Sequence, residues 1–168
     1  MSHLPDTPLW GVFGGSFDPP HNGHVALVRD LIAKTPLTGV YVVPSWKHPM
    51  KHQNEGSPFD DRFEMARLAF AELKDVFVSD IERRRDLSGY SIDTIQALKR
   101  EFPKRSLAFI FGADLLAQFR SWRRPDDILR EATLIVGRRP GHSLATPQDI
   151  PSESIRLVET ELKDISSS

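Results

Sequence analysis

The sequence predicts an α/β fold with a single doubly wound parallel sheet, and two observations support this fold class. Short apolar segments alternate along the chain with segments whose apolar residues recur at helical spacing, as in a parallel sheet that helices cover on both faces. Residues 107–111 are apolar throughout, as expected of a strand buried on both faces. Such sheets bind ligands at the carboxyl ends of their strands, so we expect a site in the loops that follow the strands.

Five short apolar runs are the predicted strands. In chain order they are residues 9–13, 40–43, 76–78, 107–111 and 133–136. Each is short and bordered by polar or helix-forming sequence, which favours a strand over a buried helix. Residues 142–154 are rich in Pro, Ser and Thr and are predicted to form a surface loop.

The predicted helices lie between these strands. The first carries apolar residues at Val25, Val28, Leu31 and Ile32. The second is predicted to begin with Ser57 as its N-cap, because a proline and two aspartates follow in what would be its first turn. Its predicted buried face consists of Phe59, Phe63, Ala66, Phe70 and Leu73.

The second half of the chain predicts three further helices. Ser91 is the candidate N-cap of one that buries Ile92, Ile95 and Leu98. Short helices are expected after Gly112 and after Pro125. No repeat or second compositional region interrupts this order, so residues 1–168 are expected to form one domain.

Composition limits the classes of protein to consider. The chain has 168 residues, 39% of them hydrophobic, a formal net charge of −1 and no cysteine. The charge balance argues against a general nucleic-acid binder, and the lack of cysteine excludes disulfides, thiolate zinc sites and cysteine nucleophiles. No apolar stretch approaches the roughly 20 residues of a membrane helix, and residues 1–9 lack a signal core. We therefore expect a cytoplasmic protein with neither nucleic-acid nor membrane partners.

The loop after the first strand carries the strongest functional signal. Residues 14–24 are Gly-Gly-Ser-Phe-Asp-Pro-Pro-His-Asn-Gly-His. Two glycines allow the backbone to approach a ligand closely, and the following helix N-terminus favours phosphate. His21 and His24, three residues apart, can share one helical face and add donors for a polyphosphate. The alternative is a tight turn with two surface histidines, but no packing rule requires both beside that turn.

This string resembles the His-x-Gly-His signature of the nucleotidyltransferase superfamily, and within it is most similar to bacterial nicotinate-nucleotide adenylyltransferases. Three further segments support the resemblance, residues 88–94, 109–122 and 136–141. The resemblance implies a Rossmann-like nucleotidyltransferase fold. It also implies transfer of the adenylyl group of ATP to nicotinate mononucleotide, which produces deamido-NAD and pyrophosphate in NAD biosynthesis.

The implied chemistry needs no strong base. A phosphate monoester has a second pKa near 6 and is mostly dianionic at neutral pH, so the nucleophile is already deprotonated. The barrier lies in bringing two anions together and stabilising an in-line transition state. Cationic groups, backbone amides and Mg²⁺ bound with ATP are therefore the expected catalytic means.

The resemblance assigns a role to particular residues on the ATP side. His21 and His24 are implied to be catalytic, contacting the ATP phosphates and the leaving pyrophosphate. The other implied ATP or phosphate ligands are Gly14, Gly15, Ser16, Phe17, Lys51, Gly112, Asp114 and Arg139. Asp114 matches a position near the ATP ribose, although an aspartate after Gly112 is equally typical of a helix N-cap. Arg139 could equally belong to a solvated basic loop.

On the acceptor side the resemblance implies three residues. The backbone amides at Tyr90 and Ser91 would receive the nicotinate carboxylate, since a helix N-terminus suits a carboxylate; the alternative is a cap with no ligand. Trp122 would stack on the nicotinate ring, which contributes roughly 1 kcal/mol beyond area burial. From its local sequence alone, Trp122 is more typical of a core residue.

The chain departs from the family pattern at three places. Met50 stands where the family commonly has a histidine before the basic residue, here Lys51, and Pro125 replaces an aromatic residue. The sequence ends at Ser168 within the family's Ile-Ser-Ser/Ala-Thr-x-x-Arg motif, so the predicted domain ends inside that motif.

These departures leave two alternatives open. One is a module that binds ATP or a dinucleotide with weak or no transfer; the other is an adenylyltransferase with another phosphorylated acceptor, such as nicotinamide mononucleotide. The sequence does not predict an oligomeric state.

Overall fold

The structure, a computed structural model, describes residues 7–47, 56–138 and 149–160. Its strands are β1 (Leu9–Gly15), β2 (Gly39–Pro44), β3 (Val76–Val78), β4 (Ser106–Gly112), β5 (Ala132–Arg138) and β6 (Ile155–Glu159). They form one sheet in the order β3-β2-β1-β4-β5-β6, and every neighbouring pair is parallel. This is the strand order of a Rossmann-like doubly wound sheet, which confirms the predicted fold class.

Helices follow the strands as expected of parallel crossovers. They are α1 (Asn22–Lys34), α2 (Phe59–Ala69), α3 (Ile81–Arg84), α4 (Ser91–Glu101) and α5 (Pro125–Glu131), together with 3₁₀ helices Ala113–Ser121 and Ser152–Ser154. No helix in the described ranges is long and apolar enough to cross a membrane.

The core is divided between the two faces of the sheet. Neighbouring residues of one strand belong to different clusters: Val12 packs in one and Phe13 in the other, and Phe109 and Ile110 divide in the same way. The first cluster includes apolar residues of α4, and the second those of α1. Burial on both faces explains why β4 is apolar at consecutive positions.

Two predicted caps lie one residue away from the observed ones. The N-cap of α2 is Pro58, and the backbone N–H of Ser57 donates to Oδ2 of Asp18 at 2.8 Å. In α4 the cap is Tyr90, so Ser91 is the first helical residue. Neither observed cap uses a side-chain hydrogen bond, which explains why residue preferences misplaced both.

The structure adds three elements and changes the type of a fourth. The four-residue α3, the 3₁₀ helix Ser152–Ser154 and the strand β6 were not predicted, and the helix after Gly112 is a 3₁₀ helix. β6 alternates partly buried and exposed positions, the pattern of a half-buried edge strand. Of the predicted surface loop, residues 142–148 lie outside the described ranges.

The reversal of strand order places β1 beside β4 at the centre of the sheet. β1 pairs with β2 on one side and β4 on the other. The connections that leave the carboxyl ends of β1 and β4 run to opposite sides, which opens a crevice between them. The loop of residues 14–24 begins at that crevice.

Candidate active site

Two adjoining cavities lie at the carboxyl ends of β1 and β4. They share five lining residues, Gly14, Gly15, Ser16, Phe111 and Leu115. The smaller has a volume of about 80 Å³, and the larger, of about 380 Å³, is in the range of small-molecule sites. Because they share a wall, they form two compartments of one cleft.

Most of the predicted site residues line one of these compartments, but His21 and Tyr90 line neither. The smaller cavity is lined by members of the predicted ATP set, namely Gly14, Gly15, Ser16, Phe17, His24, Gly112 and Asp114. The larger is lined by Ser91 and Trp122 from the predicted acceptor set. Lys51 and Arg139 lie outside the described residues.

Phe17 packs against His24 in the glycine turn. Its backbone has φ of 52°, an uncommon conformation for a bulky residue, and its side chain is 2% exposed. The ring meets His24 edge-on with centroids 5.2 Å apart. Any contact of Phe17 with a phosphate therefore comes from its backbone, while its ring packs against the imidazole.

His21 and His24 form a reciprocal cap at the start of α1. Nδ1 of His21 accepts the backbone N–H of Gly23 at 3.2 Å, and Nδ1 of His24 accepts the backbone N–H of His21 at 3.1 Å. This is a capping box built from two histidines. The rings stack with centroids 3.6 Å apart and an angle of 22° between their planes.

The cap decides which ring nitrogens carry protons. A neutral imidazole that accepts at Nδ1 carries its hydrogen on Nε2. Burial, and after it the proximity of His21, lowers the pKa of His24 from 6.5 to about 4. At neutral pH His24 is therefore an uncharged Nε2–H donor on the wall of the smaller cavity. His21 stacks directly on it and also accepts a hydrogen bond at Nδ1.

Asp114 is not the N-cap that its sequence allowed. Gly112 is the N-cap of the 3₁₀ helix Ala113–Ser121, and it makes no side-chain capping bond. Asp114 is in the first turn, is exposed and lines the smaller cavity. The structure thus removes the capping alternative and leaves the carboxylate at the cavity.

Trp122 is both a core residue and a wall of the larger cavity. Its ring meets those of Phe109, Phe111 and Phe119 in edge-on contacts, with centroids 5.9, 5.1 and 5.2 Å apart. The residue is only partly buried and lines the larger cavity. The two alternatives for this residue are therefore combined: three phenylalanines fix the ring, which remains within reach of a ligand.

The start of α4 distinguishes the two predicted acceptor residues. Ser91 lines the larger cavity. The backbone N–H of Tyr90 already donates to Oγ of Ser88 at 3.0 Å, and its ring lies under the guanidinium of Arg123 at 4.8 Å. Of the two amides, that of Ser91 is the stronger candidate for a ligand carboxylate.

A buried carboxylate, not predicted from the sequence, borders the larger cavity. Glu82 is 6% exposed and accepts hydrogen bonds from the backbone N–H of Trp46 at 3.1 Å and Oγ1 of Thr94 at 2.9 Å. Burial raises its pKa. It joins the loop after β2 to α4, and Thr94 and Glu82 both line the cavity.

A buried guanidinium holds the glycine turn. Arg62 of α2 donates from Nη1 to the backbone carbonyl of Ser16 at 3.0 Å and from Nε to that of Ser57 at 2.9 Å. It is 9% exposed. The hydrogen bonds satisfy both carbonyls and join α2 to the glycine turn.

Comparison with known proteins agrees with this geometry. The model of the cytidylyltransferase-like family matches residues 12–168. The nicotinate-nucleotide adenylyltransferase of Bacillus subtilis is 32% identical over 137 residues, covering 82% of this chain and 72% of that protein. A protein of Acidothermus cellulolyticus named a probable nicotinate-nucleotide adenylyltransferase is 35% identical over 162 residues, 94% of this chain and 78% of its own.

The chain belongs to the nicotinate-nucleotide adenylyltransferase family. A solved structure shares the fold. A solved structure of the Plasmodium falciparum nicotinic acid mononucleotide adenylyltransferase, complexed with NaAD, superposes with a TM-score of 0.73. It is 18% identical and covers 95% of this chain and 77% of that one. Members of the nicotinate-nucleotide adenylyltransferase family are nucleotidyltransferases, so this chain is an enzyme of that class.

The lowered pKa of His24 gives stability a distinct pH dependence. Between pH 6.5 and about 4 the unfolded chain binds a proton at this imidazole that the folded chain does not. Stability from the neutral ring is therefore full above pH 6.5 and is lost as pH falls to about 4, by on the order of 2 kcal/mol. We expect the wild type to lose more stability over this range than His24→Asn, whose Oδ1 can replace the capping acceptor but does not titrate. Thermal unfolding of both proteins from pH 7.5 to 4.5 measures the difference, and parallel curves would contradict the assigned burial.

Proposed function

We propose that this chain transfers the adenylyl group of ATP to nicotinate mononucleotide, giving deamido-NAD and pyrophosphate. The observation that supports this most directly is the pair of stacked, cap-fixed imidazoles beside the glycine turn. Donors fixed in advance at the site where charge develops are the largest single source of rate in such reactions. A cytoplasmic location, and one domain spanning residues 1–168, remain predictions.

The two cavities provide for the two substrates. The phosphates of ATP lie at the smaller cavity, against Gly14, Gly15 and Ser16, with the ribose near Asp114 and the rest of the nucleotide outside that cavity. Nicotinate mononucleotide occupies the larger, with its ring against Trp122 and its carboxylate at the start of α4. The wall that the cavities share is where the acceptor phosphate meets the α-phosphate.

The reaction then proceeds as a displacement at phosphorus. An oxygen of the acceptor phosphate, already deprotonated at neutral pH, forms a bond to the α-phosphorus. The bond from that phosphorus to the bridging oxygen breaks, and the electron pair leaves with pyrophosphate. The Nε2–H groups of His21 and His24 donate to oxygens of the departing group, so the leaving charge is stabilised without transfer of a proton from a charged acid.

Mg²⁺ enters this proposal as part of the ATP substrate. In the described ranges, no group of three or more His, Asp or Glu residues could hold a metal ion. Magnesium commonly keeps several waters and binds substrate phosphates with only one or two protein carboxylates. We therefore assign it to the triphosphate, where it supplies further neutralisation of charge.

Acceptor choice tests the proposed function. Pyrophosphate release is measured with MgATP and, in turn, nicotinate mononucleotide, nicotinamide mononucleotide and a nucleoside lacking phosphate. We expect the highest kcat/KM with nicotinate mononucleotide and no release with the nucleoside, because the acceptor phosphate is the nucleophile. Binding of ATP by calorimetry, with no pyrophosphate from any mononucleotide, would instead support the binding-module alternative that Met50 left open.

Two substitutions of His24 separate its capping atom from its donor atom. Asparagine places an oxygen near the position of Nδ1 and so keeps the cap, but it has no group at Nε2. Glutamine reaches further and places an amide N–H near Nε2. We expect His24→Asn to lower kcat by about 10²-fold and His24→Gln to retain more of the rate, measured at saturating substrates. Equal rates for wild type and His24→Asn would show that the Nε2–H donor has no catalytic role.

A further inference from the structure

The cleft must accommodate two anionic substrates, yet its described walls carry little positive charge. The lining residues include two carboxylates, Glu82 and Asp114. Among the described residues that line either cavity, Lys47 is the one lysine or arginine. It lies in the larger cavity together with Gly15, Ser16 and Trp122. Lys47 thus shares a cavity with both the glycine turn and Trp122, and a lysine ammonium in such a wall suits the phosphate of a mononucleotide.

The backbone that carries Lys47 is held in place. The N–H of Ser45 donates to the carbonyl of Gly15 at 2.9 Å, and the N–H of Trp46 donates to Glu82 at 3.1 Å. The indole of Trp46 donates to Oδ1 of Asp86 at 2.9 Å. Three hydrogen bonds thus fix the two residues before Lys47, and the first ties them directly to the glycine turn.

The ammonium of Lys47 has an ionic contact with Asp86 and can still donate to a ligand. Its Nζ lies 2.8 Å from Oδ1 of Asp86, and the two side chains are 39% and 71% exposed. An exposed ion pair of this kind is weak and exchanges readily. A lysine ammonium has three N–H donors, so a phosphate oxygen can be bound while the contact with Asp86 persists.

We propose that Lys47 binds the phosphate of the acceptor mononucleotide and brings it to the shared wall of the cleft. The proposal rests on the proposed function and adds a residue to it. The resemblance implied a cation from this loop at Lys51, which lies outside the described residues. The structure places Lys47 in the wall of the larger cavity, four residues before Lys51.

Lys47→Ala tests this assignment by its effect on one substrate. We expect the KM for nicotinate mononucleotide to rise about 10-fold or more, as for loss of a hydrogen bond to a charged group, while the KM for ATP is unchanged. Lys47→Arg should restore part of the loss, because it keeps the charge. Lys74→Ala removes the same charge from an exposed position just before β3, at the opposite end of the strands, and should leave both constants unchanged.

A second variant, Asp86→Asn, tests whether Lys47 acts indirectly, by holding the loop through its ion pair with Asp86. Asp86→Asn keeps an oxygen for the indole of Trp46 but removes the partner charge of Lys47. A phosphate contact predicts that this variant does not raise the KM for the mononucleotide. If Asp86→Asn raised it as much as Lys47→Ala does, Lys47 would act only by holding the loop, and the proposal would be overturned.

Calorimetry makes the proposal independent of turnover. Lys47→Ala should weaken binding of nicotinate mononucleotide but not of its phosphate-free nucleoside, since only the former offers the phosphate. Equal weakening for both ligands, or none for either, would overturn the assignment. Absence of pyrophosphate release from the unmodified chain would contradict the proposed function alone, and the calorimetric comparison would still decide the role of Lys47.

Discussion

The reciprocal hydrogen bonding of His21 and His24 is the interaction on which the site depends. Each ring accepts a backbone N–H through Nδ1, so the bonds that begin α1 also assign the tautomer of both imidazoles. A serine or aspartate cap would start a helix equally well. Two histidines instead start the helix and leave both Nε2–H groups as donors. Burial keeps His24 uncharged, which suits a group that donates a hydrogen bond without giving up a proton.

Around this cap, buried charged groups fix loops that carry no regular structure. Arg62 bonds to the carbonyl of Ser16, and Glu82 bonds to the backbone of Trp46 and to Thr94. Each of these groups bears a desolvation cost that only its partners offset. Removing the partners of Arg62 or of Glu82 would leave a buried charge without compensation. Contacts between α2, α3, α4 and two loops therefore hold the described walls of the cleft.

Much of the fold could be predicted from the sequence because its signals are local. Runs such as residues 107–111 and the glycine-histidine string each lie within a dozen residues. Glu82 could not be predicted, because its partners lie 36 and 12 residues away along the chain and α3 has only four residues. The caps of α2 and α4 were each misplaced by one position, since the backbone of Ser57 bonds to Asp18 instead. Trp122 shows a different limit, since one residue both packs on three phenylalanines and lines the larger cavity.

Both imidazoles accept a backbone N–H at Nδ1, which leaves the ring hydrogen on Nε2, and nitrogen NMR of the ¹⁵N-histidine-labelled protein tests this arrangement most directly. Long-range proton–nitrogen correlations distinguish a protonated from an unprotonated ring nitrogen at each histidine, and His21→Asn and His24→Asn assign the two sites. The account predicts an unprotonated Nδ1 and a protonated Nε2 for both rings at pH 7.5. It further predicts that His24 keeps this pattern down to about pH 5, since its pKa is about 4. A proton on Nδ1 of either ring at pH 7.5 would contradict the capping geometry and the catalytic role derived from it.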